Sequence, residues 1–199
     1  MGLKREVVNY MDSNNYEKFL RKLKPKNYGT FDVEDFDDYK LRVSKLLPNW
    51  PECVMENWLY RHYSYAISDY DWLRFDKVTF ELISWERDRI FTDIQSHKMD
   101  YAIDGLGYQI YEREEKSRSW LQSNMYNNRT WPVPIIIMKN SNGIISPQGE
   151  CYGQPYHLIE GHLRLGYFRT IYKREKETLK PEHNIWMMKV NEDSIEGVS

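Results

Sequence analysis

Glu160, Gly161, His162 and Arg164 lie within five consecutive positions, between a short apolar run, Tyr156–Ile159, and a helix-patterned basic stretch, His162–Lys176. These residue types suit phosphate chemistry. Glycine lets a chain turn sharply because it carries no Cβ. The first N–H groups of a helix that starts there have no partner within the helix, and the dipole at that end is positive, so the turn accepts phosphate or carboxylate. Arg164 can fork onto phosphate oxygens. His162 can donate to phosphate or act as acid or base near neutral pH. Glu160 can coordinate a metal ion or take the proton of an attacking hydroxyl. Glu160 and His162 are therefore the candidate catalytic pair, Gly161, His162 and Arg164 the candidate phosphate ligands, and Glu160 the candidate Mg²⁺ ligand.

Several elements must hold this turn in place. Trp131–Met138 (WPVPIIIM) is the clearest strand, and its isoleucine run predicts a central position buried on both faces. Tyr156–Ile159 is a second short buried strand, and Ile185–Val190 a third. Phe75–Trp85 alternates Val78, Phe80 and Leu82 with Lys77, Thr79 and Glu81, which predicts a further strand. Glu86–Lys98 and Tyr111–Tyr126 read as helices. Tyr101–Tyr111, with two glycines, reads as loop or strand. Asn140–Gly153 reads as an exposed connection. In His162–Lys176 the inner face falls to Leu165, Phe168 and Tyr172, leaving Arg164, Arg169, Lys173 and Arg174 as a basic face, with Arg169, Lys173 and Arg174 as candidate nucleic-acid contacts.

Upstream, helices are predicted at Asn15–Lys24 and Phe31–Leu47. A third starts at Asn49-Trp50-Pro51-Glu52, capped by Asn49, and continues to Ala66 with Val54, Trp58, His62 and Tyr65 near one face. The Trp- and Tyr-rich tract Trp50–Trp72 reads as core, with a groove for a protein partner as the alternative. The layout predicts an α+β protein, a small mixed β-sheet with packed helices preceded by a helical N-terminal extension. The division is 1–71 for the extension and 72–199 for the α+β domain.

The 199 residues suffice for a core without staples, and the aromatic share of 15% supplies much of it. A net charge of −2 gives no global basic field, so contact with DNA would rest on a local patch. Cys53 and Cys151 are the only cysteines, which excludes a disulfide framework and a CxxC metal pair, and Cys151 reads as an unreactive thiol. His97 and His183 lack metal-ligand spacing; His157 reads as a packed or edge residue. No segment approaches the roughly 18 apolar residues that span a bilayer, and no signal peptide opens the chain. The expectation is a soluble cytoplasmic protein without membrane contact. Frequent Lys, Asn, Tyr and Ile point to an AT-rich coding sequence, as in microbial or mobile-element genomes.

The segment PYHLIEGHLRLGYFRTI, Pro155–Ile171, resembles the core motif of the ParB/sulfiredoxin superfamily, in which a strand, an acidic or small residue, glycine, two polar residues and arginine lead into a helix. Val133–Asn140 (VPIIIMKN) is similar to the preceding Pro-Ile strand, and FDKVTFELISW to the opening strand. The resemblance spans roughly residues 72–190. It implies a ParB/sulfiredoxin-like fold, with nucleotide phosphates bound at the turn, ATP or another NTP with Mg²⁺ as cofactor, and an NTPase (hydrolase), kinase-like or nuclease activity. Sulfiredoxins carry Cys after the glycine, where this chain has His162, which argues against sulfinate reduction. ParB proteins carry Gly-Glu-Arg-Arg, where this chain has Gly161-His162-Leu163-Arg164, and no helix-turn-helix follows. Kinase-like members show Asp/Glu-Gly-His-His-Arg, so Leu163 replaces the second His. Three functions follow: a nucleotide-dependent phosphotransfer enzyme or NTPase, a non-catalytic protein-interaction module with a degenerate site, and a mobile-element nuclease or DNA-binding protein.

Overall fold

The computed structural model describes residues 10–96 and 99–190. The opening stretch Met1–Asn9 and His97 lie outside them. The chain divides into two compact units, Met1–Asp71 and Trp72–Ser199.

The first unit is helical. It contains α1 (Tyr10–Leu23), α2 (Phe36–Val43), a short α3 (Glu52–Val54) that widens into a π-helical stretch (Met55–Tyr60), and α4 (Tyr63–Tyr70). The helix predicted over Phe31–Leu47 starts five residues late. Asn27 and Gly29 take positive φ, and the Lys26 amide donates to the Glu34 carboxylate (3.0 Å), which folds this segment back. Asp35 then caps α2 through the Asp38 amide (2.9 Å). Glu34 points inward, where Arg42 donates to both its oxygens (3.2 and 2.7 Å) and holds its carboxyl below the ordinary carboxylate range. Tyrosine hydroxyls tie the helices together: Tyr39 donates to the Leu23 carbonyl (2.9 Å) and Tyr63 to that of Leu20 (3.0 Å).

The third predicted helix is corrected in two respects. Pro51, not Asn49, occupies the N-cap position. The π turn adds a residue per turn, so the inward face arrives late. Trp58 and Leu59 are both buried, Ala66 and Tyr70 follow them inward, and the expected His62 and Tyr65 are left exposed. Trp58 stacks on Trp50, ring centroids 5.6 Å apart.

The second unit is α+β, with helices packed on a mixed five-stranded sheet of order β1-β5-β3-β4-β2. In chain order its elements are β1 (Thr79–Glu86), α5 (Arg87–Asp93), β2 (Ile94–Gln95), α6 (Asp100–Gly107), α7 (Gln109–Glu112), α8 (Trp120–Asn128), β3 (Ile135–Lys139), β4 (Tyr156–Glu160), α9 (His162–Glu175) and β5 (Glu182–Lys189). β1 pairs antiparallel with β5, β5 runs parallel to β3, β3 antiparallel to β4, and β4 parallel to β2. The isoleucine strand β3 is central, with Ile135 to Met138 all buried. Beneath it Trp131, Leu158, Leu165, Phe168 and Ile185 join one apolar core.

Three features of this unit depart from the sequence reading. The helix expected to reach Lys98 ends at Asp93, and Ile94–Gln95 pairs with β4 as a sheet edge. The glycine-bearing stretch read as loop or strand is helix α6, and Gly107 is where it crosses α9. A Cβ at Gly107 would lie 2.3 Å from the Gly166 carbonyl oxygen, and one at Gly166 would lie 2.5 Å from that of Ile103. Only paired glycines let the two backbones approach so closely. The helix expected over Tyr111–Tyr126 breaks at Arg113. It restarts behind Ser119, whose hydroxyl accepts from the Gln122 backbone amide (3.3 Å) while the Gln122 side-chain oxygen accepts from the Ser119 amide (2.8 Å). Among the described residues no helix is long and apolar enough to cross a membrane.

Candidate functional site

β4 enters the site through a bulge. Ile136 faces Glu160 while Ile137 faces Leu158, so Ile159 is an extra residue. A bulge of this kind re-aims the side chains beside it. Gly161 then takes φ +105° and ψ 28°, a left-handed conformation that L side chains rarely adopt. The space is closed as well, because a Cβ there would lie 2.5 Å from Ile135 Cγ2. The first helical bond runs from the Leu165 amide to the Gly161 carbonyl (2.9 Å), and no side chain caps the helix.

The four sequence-predicted site residues do come together, in a particular arrangement. Arg164 is 7% exposed and turns back under the turn instead of out of it. Its guanidinium donates to the Glu160 carboxylate and, through Nη1, to the carbonyls of Val133 (2.9 Å) and Pro134 (3.4 Å). One side chain thus joins the end of β4, the first turn of α9 and the segment leading into β3. Glu160, expected as metal ligand or base, is engaged by this pair. His162 is half-buried on the first turn, and Leu163 is exposed. Among the described residues no three His, Cys, Asp or Glu side chains cluster as a metal site.

The basic face of α9 is reassigned. Arg169 is 8% exposed and is not a surface residue. It donates to Asp100 (2.7 Å) and Asp104 (3.3 Å) of α6 and to the Ile94 carbonyl (2.7 Å), which fastens β2 and α6 to α9. Lys173 is paired with Asp104. Arg174 alone of the three is free of carboxylates among the described residues, and it lies 4.7 Å from the Tyr111 ring centroid. The acidic partners come from a segment far away in the chain, so helical periodicity alone could not reveal them.

At the other end of the β3–β4 ladder lies an open hollow of about 310 Å³, lined by Gln95, Ile144, Cys151, Tyr152 and Gln154 among others. Asn140, buried at the end of β3, shapes it by donating to the carbonyls of Tyr152 and Gly153 (both 3.1 Å). His157 is a packed residue on an inner strand and accepts from the Gly153 amide (3.0 Å). His183, which has no partner of metal-ligand spacing in the sequence, is a buried histidine of the core. It is 2% exposed, lies between the Trp131 and Phe168 rings (centroids 5.0 Å from each) and shares a hydrogen bond with Thr130 (2.8 Å). Its Nε2 is buried without a partner, and burial lowers its pKa to about 4.

No family model matches the chain, and no curated protein or solved structure matches it either.

Proposed function

We propose that this chain binds the phosphates of a nucleotide at the Gly161 turn, as a ParB/sulfiredoxin-like protein. One observation carries the reading: an uncapped helix of fourteen residues begins at a glycine held at positive φ directly after a buried strand. Such a start turns first-turn N–H groups and a positive dipole end toward an anion. His162 on the first turn adds a donor beside them. Mg²⁺ with a nucleoside triphosphate would suit the Glu160–Arg164 pair, because the metal gives Glu160 a cation and the phosphate gives Arg164 an anion, so the exchange leaves no charge unbalanced. With Glu160 released in this way, phosphotransfer or hydrolysis becomes open to Glu160 and His162.

Isothermal titration with ATP, CTP and GTP, each with Mg²⁺, tests the proposal. It expects one nucleotide to bind below millimolar and His162→Ala to weaken that binding tenfold or more, by roughly 1.4 kcal/mol. Absence of binding by all three nucleotides would refute it. A second reading, a non-catalytic module that docks a protein, has support in exposed Leu163 and in Phe31, Leu41 and Tyr65, which stand out from the helical unit. Nucleotide binding without phosphate release would favour that reading over enzymatic action.

A further inference from the structure

Between α7, α8 and the end of α9 the structure builds a ladder in which tyrosine rings and guanidinium groups alternate. Arg174 lies 5.7 Å from the Tyr108 ring centroid and 4.7 Å from that of Tyr111. Tyr111 meets Tyr126 edge to face at 5.7 Å. Arg129 lies 4.6 Å from the centroid of Tyr126, and Arg118 lies 3.8 Å from it. Three cations therefore share three rings, and the charges are not balanced. Glu175 pairs with Arg129 (3.1 Å), while Arg118 and Arg174 meet no carboxylate among the described residues. Arg118 also has a buried Nε with no acceptor. Ring faces attract these cations but leave their positive charge in place. The ladder remains open to solvent at Tyr108, 40% exposed, and Trp120 of α8 stands nearby in sequence at 69% exposed.

We propose that this face binds a single-stranded polynucleotide. The two uncompensated guanidinium groups supply contacts for successive phosphates, and the exposed rings supply platforms for unpaired bases. This combination of positive charge and stacking surface is how proteins hold single strands without reading sequence. Duplex bases are already stacked on one another and leave the rings unused. An acidic peptide would answer the charge but not the rings. The surface is separate from the Gly161 turn, lies on other helices and the far end of α9, and does not depend on nucleotide binding at that turn.

The test is fluorescence anisotropy of a labelled oligo(dT) of roughly 20 nucleotides with the full chain at low salt. Neutralising about two phosphates predicts a fall in affinity of roughly sevenfold between about 50 and 200 mM salt. Combining Arg118→Gln with Arg174→Gln should weaken binding tenfold or more and flatten the salt dependence. The exposed Tyr108→Leu variant, with its fold checked by circular dichroism, should reduce the preference for single strand over duplex. Arg61→Gln, in the helical unit, should leave binding unchanged. The proposal is overturned if oligo(dT) does not bind at the lower salt, if duplex or polyglutamate binds equally well, or if Arg61→Gln costs as much as the double variant.

Discussion

Arg164 and Glu160 close an ion pair across the Gly161 turn, joining strand β4 to helix α9 by charge as well as by the chain. Their side chains are only 8% and 16% exposed, so each ion depends on the other for its solvation. The motif that suggests ligand chemistry is thus also a structural brace.

Breaking this pair from one side should be costly. Arg164→Met leaves a carboxylate with little water and no cation, and the Val133 carbonyl without its donor. A loss of about 3–5 kcal/mol is expected in urea unfolding. The double variant Glu160→Leu with Arg164→Met should lose clearly less than the two single losses added together, because it leaves no lone charge behind. Strict additivity would refute the coupling.

Glycines in α6 and α9 should respond in opposite directions. Gly166→Ala places a methyl 2.5 Å from the Ile103 carbonyl and must push the helices apart, at a cost of about 1–3 kcal/mol. Gly105 sits inside a helix, and a Cβ added there would meet nothing within 4 Å. Gly105→Ala should therefore stabilise the protein by about 0.5–1 kcal/mol. Thermal melts of the two variants decide the matter.

Acid stability should fall in two windows. His183 has its pKa lowered from 6.5 to about 4, chiefly by burial, with a smaller repulsion from Arg87. As pH drops below 6.5 the unfolded chain takes up the proton first, so stability decreases until about pH 4 and then levels off for this group. The shift corresponds to roughly 3 kcal/mol. Glu34 adds a loss beginning below its ordinary value of 4.5, as protonation removes its hydrogen bonds from Arg42. Urea midpoints measured from pH 7.5 to 3.5 should show the first decline abolished in His183→Gln and the second retained. An unchanged first decline in that variant would exclude His183 as its source.

Much of the architecture was legible in the chain itself. An isoleucine run with no polar face has few places to go other than the middle of a sheet, and β3 lies there. The path from Leu158 through Gly161 to Leu165 was readable because glycine at a change of period marks a turn under any tertiary arrangement. The α+β class followed from helices giving way to alternating strands.

Other features depended on partners distant in the chain. Arg169 sits on an apparently basic helix face, and only the approach of Asp100 and Asp104 makes that position interior. Gly107 looked like a loop signal until Gly166 came against it. His62 and Tyr65 follow an ordinary helical count, which a wide turn and a break at His62 displace. At the Gly161 turn, the sequence alone determined that Glu, Gly, His and Arg would meet where a strand becomes a helix, because neighbours in the chain cannot avoid one another. Only the tertiary structure decided that Arg164 turns inward to Glu160 and the Val133 carbonyl. The direction of a long side chain is set by the charges and acceptors that folding brings within its reach.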